Sequence, residues 1–158
     1  MKKIIIFLVI ILALFATLGI VTTMQKDEKL KAADNPYGTD KLAQATIDQL
    51  DDPNYQNIIL PAQLDKKLKA KEDVAVYYFS PLCEHCKRTT PVVAPLAEEM
   101  GIDLVQYNLL EFEQGWNDYN LKETPTIVFY KNGVEQDRII GENEVATFKH
   151  WFEVNGVN

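Results

Sequence analysis

The chain of 158 residues reads as an α/β sandwich, a central mixed sheet with helices on both faces, preceded by a single N-terminal apolar helix. Three observations predict this class. Val74-Ala75-Val76-Tyr77-Tyr78-Phe79 is a continuous apolar run rich in β-branched and aromatic residues, the pattern of a strand covered on both faces. Stretches with helical spacing of apolar residues alternate with further strand-like runs. Asn132-Gly133, a strong two-residue hairpin signal, joins the last two of those runs and so adds an antiparallel edge.

Met1-Lys2-Lys3 precedes a run at 4–24 with neither charge nor proline. Its 21 residues make a helix of about 31 Å, which matches a hydrocarbon core of ~30 Å. Residues 1–24 are therefore expected to be a membrane anchor crossing the bilayer once. A cleaved secretory signal, giving a secreted protein, is the alternative, but its apolar region is usually only ~7–15 residues and ends in a small-x-small site. No Cys directly follows the run, so a lipid-anchored lipoprotein is excluded. Lys2 and Lys3 place the N-terminus in the cytoplasm by the positive-inside tendency, and the C-terminal domain on the extracytoplasmic side of the cell membrane; Lys26, Lys29 and Lys31 weaken that asymmetry. Residues 25–38, mixed in charge and ending in Asn35-Pro36-Tyr37-Gly38, read as a tether with a turn.

Residues 39–56 read as an N-terminal helical extension. Thr39 is the expected cap of a helix over 40–50, with Leu42, Thr46, Ile47 and Leu50 on one side, and Asp51-Asp52-Pro53-Asn54 ends it. The main domain covers 57–158. Ile58-Ile59-Leu60 is a short edge-strand candidate, and Pro61 opens a helix reaching about residue 71. After the strand at 74–79 comes a helix over 87–100 that Pro91 should kink, with Val92, Val93, Leu96 and Met100 facing the sheet and Gly101 ending it. Leu104-Val105-Gln106-Tyr107 is a second inner strand, and 111–121 a short helix interrupted by Gly115. Strands at 126–130 and 134–140 flank the hairpin turn. Glu142-Asn143 opens a last helix that buries Val145, Phe148, Trp151 and Phe152. The alternation implies a parallel core with an antiparallel edge.

The 16 Lys and Arg residues against 23 Asp and Glu leave an acidic body, and without Lys2 and Lys3 the balance is 14 against 23, or −9. That argues against a nucleic-acid partner. Two cysteines are too few for a disulfide framework, so stability must come from a packed core. Both lie in Cys83-Glu84-His85-Cys86, between the apolar run and the helix. Zinc would find Cys83, His85 and Cys86 there, but the other histidine, His150, is far along the chain, which leaves half a site; no metal is expected.

Two thiols separated by two residues at the first turn of a helix can close a small disulfide, and the first sulfur then lies in the field of unpaired N–H groups. That field favours the thiolate, the attacking and leaving species of disulfide exchange. The Cys83–Cys86 disulfide is the only redox group called for, with no other cofactor.

Read together, these residues resemble the thioredoxin family over about residues 57–153. The resemblance rests on Cys83-x-x-Cys86 followed by Lys87, on Pro91, on Tyr119-Asn120-Leu121-Lys122-Glu123-Thr124-Pro125-Thr126, and on Lys131-Asn132-Gly133 with Gly141. It implies a thioredoxin-like three-layer sandwich and thiol–disulfide exchange with protein thiols and disulfides. It also implies that Pro125 is cis and faces the sulfurs, and that Thr124 pairs with the substrate chain. Five positions depart from typical members: Leu82 stands for Trp, Glu84-His85 for Gly-Pro, Tyr77 for a buried Asp, and Gln106 for the Lys that interacts with that Asp.

Cys83 is the expected attacking sulfur and Cys86 the resolving one. A His85 ring hydrogen-bonded to Cys83 would stabilise the thiolate and favour an oxidant or isomerase, as in the disulfide isomerases and oxidases that share a histidine there. Glu84, a possible modulator, would pull the other way. One alternative is a membrane-tethered reductase fed by a membrane redox partner. Another is a non-catalytic binding module, or an accessory subunit of an export or assembly machine, in which the disulfide is a static staple.

Overall fold

A computed structural model describes residues 2–31 and 35–156. The chain divides into two compact units, 1–40 and 41–158. The first holds helix α1 (Lys2–Lys31), which over Lys2–Met24 is long and apolar enough to cross a membrane. It continues through the first half of the expected tether because nothing before Pro36 breaks a helix. Part of that tether, 32–34, lies outside the described residues.

The second unit contains α2 (Gln44–Ile47), a 3₁₀ turn (Pro53–Tyr55), α3 (Pro61–Lys69), β1 (Val74–Phe79), α4 (Glu84–Glu99), β2 (Leu104–Asn108), α5 (Gly115–Asp118), β3 (Thr126–Lys131), β4 (Val134–Ile140) and α6 (Val145–Asn155). The four-stranded sheet has the order β2-β1-β3-β4. All six side chains of β1 are buried, as its unbroken apolar run predicts. Ala75, Tyr77 and Phe79 pack with Val93, Leu96 and Ala97 of α4 and Phe148 and Phe152 of α6. Val74, Val76 and Tyr78 point the other way, onto Leu64 of α3, Leu121 and Tyr130. The period-two alternation of a strand thus feeds two cores, one on each face of the sheet.

The sheet is mixed, but its parallel part is smaller than the alternation of elements implies. β1 and β2 are parallel, while β3 runs antiparallel to β1 as well as to β4. The reason is where the connection ends. β2 finishes beside Phe79 and β3 begins opposite Tyr78, at the same end of the sheet, so the chain need not travel back along the sheet before pairing. Ile58-Ile59-Leu60 likewise stops at a single parallel bridge to Gln106, because Pro61 starts α3 at once.

The helix expected over 40–50 shrinks to one turn with Ala43, not Thr39, at its N-cap. A distant carboxylate sets that boundary: Glu111 accepts the N–H of Ala43 at 3.0 Å and the hydroxyl of Thr46 at 2.5 Å. Gly115 begins α5 and does not interrupt a longer helix; a Cβ there would lie 2.6 Å from the Tyr107 ring. Asn132 and Gly133 both have positive φ, as a primed hairpin turn requires, and a Cβ on Gly133 would meet the carbonyl of Leu68.

Replacing Glu111 by Ala should leave the Ala43 N–H and Thr46 hydroxyl without their acceptor and cost about 1–3 kcal/mol, read as a lower thermal midpoint of the detergent-solubilised chain. An unchanged midpoint would show that the 41–56 segment is held by its apolar contacts alone.

Candidate active site

α4 starts where the sequence stops being able to satisfy its first amides from within. Its N-cap is Cys83, in extended geometry, and the cap acceptor is the thiol sulfur itself, which receives the N–H of Cys86 at 3.2 Å. The helix begins at Glu84, three residues before the helical stretch read from Lys87, with Cys83 as its N-cap and Cys86 in its first turn. Pro91 and Pro95 both lie inside it.

The two sulfurs are free thiols in unlike surroundings, Cys83 partly exposed and Cys86 fully buried. Burial pushes the Cys83 thiol up. Hydrogen bonds from Cys86 and Thr124 and from the backbone N–H groups of Cys86 and His85 outweigh it, so the thiol sits below its ordinary value. For Cys86, burial and then the hydrogen bond with Cys83 act in the same direction and push it up to about 12. The arrangement separates an attacking sulfur from a resolving one.

Thr124 and Pro125 come to the same place from 41 residues away. The Cys83 thiol donates to the Thr124 carbonyl at 3.3 Å, and the Thr124–Pro125 peptide bond is cis. Pro125 is buried and Thr124 half-buried. The Pro125 carbonyl in turn accepts the N–H of Gly141 at 2.7 Å, which ties the end of β4 to this ledge. Leu82, in the position of the usual Trp, is 63% exposed beside the sulfur and offers an apolar contact without a ring.

His85 is in the site, but its ring is turned away from the sulfur. Nδ1 lies 2.9 Å from Glu142 Oε2 and 3.0 Å from Arg88 Nη2, and the residue reaches Cys83 through its backbone N–H. The ring-to-sulfur hydrogen bond on which an oxidising character rested is not formed. Glu84 is also directed outward, where it pairs with Lys87 Nζ at 2.7 Å. Lys87, through that hydrogen bond and its charge, holds the Glu84 carboxyl below its ordinary value. Sequence reasoning missed Glu142 and Arg88. The only local signal for Glu142 is its place after Gly141 at the end of a strand.

Behind Cys86 the structure has hydroxyls where a carboxylate was absent. Tyr77 and Thr90 share a buried hydrogen bond of 2.9 Å, and Thr90 donates to the Cys86 carbonyl at 2.8 Å. Burial lifts the Tyr77 hydroxyl well above its ordinary value, so it stays protonated. Gln106, register partner of Tyr77 on β2, donates to the Asn54 carbonyl at 2.7 Å.

A protein-family model described as Thioredoxin matches residues 56–153. A thioredoxin of Mycoplasma genitalium is 35% identical over 80 residues, covering 50% of this chain and 78% of that protein. An M-type chloroplastic thioredoxin of Spinacia oleracea is 34% identical over 76 residues, covering 47% of this chain and only 42% of its own length. In fold, the chain is similar to a mutant thioredoxin from Halobacterium salinarum, with a TM-score of 0.51 at 21% identity over 61% of this chain and 86% of that one.

In the reduced chain, alkylation at pH 7 should fall on Cys83 at least tenfold faster than on Cys86. The thiolate fraction rises with pH through each pKa, and that of Cys83 is the lower. Mass spectrometry of singly modified peptides measures the ratio; comparable labelling would contradict the asymmetry.

Proposed function

The chain belongs to the thioredoxin family of thiol–disulfide oxidoreductases, and on that premise we propose that it exchanges disulfides with protein substrates through Cys83 and Cys86 on the outer side of a membrane. The observation that carries the reading is the Cys83 sulfur. It caps α4, faces Thr124 beside the cis peptide bond, and has a buried second thiol three residues away. The Lys2–Met24 helix supports a membrane tether, and the two lysines before the apolar run support the orientation.

The Cys83 thiolate attacks one sulfur of a substrate disulfide, forming a mixed disulfide and releasing a substrate thiolate that takes up a proton. Cys86 then loses its proton and attacks Cys83 Sγ. The second substrate thiolate leaves, and the Cys83–Cys86 disulfide remains. Two electrons pass from the dithiol to the substrate; run backwards, the same steps oxidise a substrate dithiol. Thr124 and Pro125 supply the docking ledge, with the Thr124 carbonyl positioned to accept a backbone N–H from a substrate strand when Cys83 gives up its own hydrogen bond there.

The direction follows from what supports the thiolate. Hydrogen bonds from the helix start and from Thr124 do so, and the basic side chains on that turn are all engaged by carboxylates, His85 and Arg88 by Glu142 and Lys87 by Glu84. The reduced form therefore lacks the extra stabilisation that makes a strong oxidant, and we favour a reductase supplied with electrons by a membrane redox partner over an oxidant or isomerase. A potential nearer −270 mV than −120 mV is expected. A value near −120 to −180 mV would reverse that direction.

A Cys86→Ser variant should accumulate mixed disulfides with protein partners through Cys83, visible as adducts that reductant removes. An absence of adducts would mean that the pair is an inert staple and would overturn the exchange reading.

A further inference from the structure

Glu142 follows Gly141, whose N–H is bonded to the Pro125 carbonyl and whose φ of +82° turns the chain out of β4. From this border of the ledge its carboxylate crosses to the start of α4. Arg88 Nε donates to both carboxylate oxygens, at 2.9 and 3.0 Å, and Arg88 Nη2 donates to Oε2 at 2.7 Å. His85 Nδ1 lies 2.9 Å from the same Oε2. A neutral ring with Nδ1 bare accepts from Arg88; a protonated ring donates to Glu142. In both states Nδ1 points toward Glu142 and Arg88.

The other charges on this turn cancel locally, since Glu84 and Lys87 pair with each other. The balance felt by Cys83 is thus set by His85, Arg88 and Glu142. Hydrogen bonds from Arg88 and then His85 hold the Glu142 carboxyl down at about 2, so it remains ionised wherever exchange takes place.

We propose that Glu142 is a positioning residue that keeps the Cys83–Cys86 couple more reducing than its own helix start would make it, by holding the His85 ring off the Cys83 sulfur and cancelling the Arg88 charge. Reduction breaks the Sγ–Sγ bond, takes up two electrons, and leaves one proton on Cys86 where Cys83 stays ionised. Positive charge near Cys83 favours that product. With the carboxylate removed, Arg88 is uncompensated and the imidazole is free to turn toward the sulfur, so the equilibrium moves to the reduced dithiol. This inference rests on the exchange function proposed above and concerns how far the couple is poised.

The test is the redox equilibrium of the full chain in detergent against glutathione buffers, for the native protein, Glu142→Gln, His85→Ala and the double variant. Glu142→Gln should shift the constant three- to tenfold toward the reduced form, about 15–30 mV less negative. His85→Ala should reverse at least half of that gain in the Glu142→Gln background, and have a smaller effect in the native one; this coupling is what a merely structural role of Glu142 would not produce. Glu142→Asp keeps the charge but falls a methylene short of its partners, and should lie between the native protein and Glu142→Gln. An unmoved or more reducing Glu142→Gln constant, or equal effects of His85→Ala in both backgrounds, overturns the inference. Failure of the native chain to equilibrate with glutathione at all would instead overturn the exchange reading and this inference with it.

Discussion

The N–H of Cys86 donated to the sulfur of Cys83 is the interaction on which the site depends, because one atom serves two purposes. A helix must end its first turn on an acceptor, and side-chain oxygens are the usual choice. Here the acceptor is the reacting sulfur, so folding α4 against the sheet also brings amide dipoles to the atom that must carry negative charge. The rest of the domain holds that geometry still. β1 feeds directly into the loop before the helix, Val93, Leu96 and Ala97 fix the helix to the sheet, and the Gly141–Pro125 hydrogen bond brings the end of β4 to the other side of the sulfur.

The interior behind Cys86 is polar without being charged. Typical members of the family carry a buried Asp and a Lys at the positions of Tyr77 and Gln106. These two positions face each other in the β1–β2 register, so a change in one alters the surroundings of the other. A lone buried carboxylate or ammonium would be costly, whereas the Tyr77 hydroxyl is paired with Thr90 and the Gln106 amide nitrogen donates to the Asn54 carbonyl. The neutral pair removes the buried base that could take the Cys86 proton. It leaves the resolving thiol in surroundings that favour its protonated form.

How much of this was legible in the sequence depended on how local each signal was. Cys83 and Cys86 define themselves by spacing, and β1 by its unbroken apolar run. Thr124 and Pro125 were found through the family pattern, and the structure brings them to the sulfur. The His85 ring could not be oriented from its neighbours, because the group that orients it lies 57 residues away in a loop with no pattern of its own. The start of the helix in the 39–56 segment was misjudged for the same reason: Glu111, 68 residues after Ala43, supplies the acceptor at its N-cap. The direction of β3 escaped because an alternation of elements says nothing about which end of the sheet a connection returns to. Hydrophobic periodicity reports burial, and these three features are set by long-range polar contacts and by topology.

The high position of Cys86 also gives the exchange cycle its timing. At neutral pH a thiol pushed up to about 12 is overwhelmingly protonated, so Cys86 does not compete with Cys83 for an incoming disulfide. Burial, the larger influence, persists throughout the encounter, but the hydrogen bond with Cys83 and the Cys83 charge exist only while that sulfur is free. Once Cys83 is bonded to a substrate, both are gone and Cys86 becomes easier to ionise. The second thiol is quiescent until a covalent complex has formed and becomes easier to ionise through its formation.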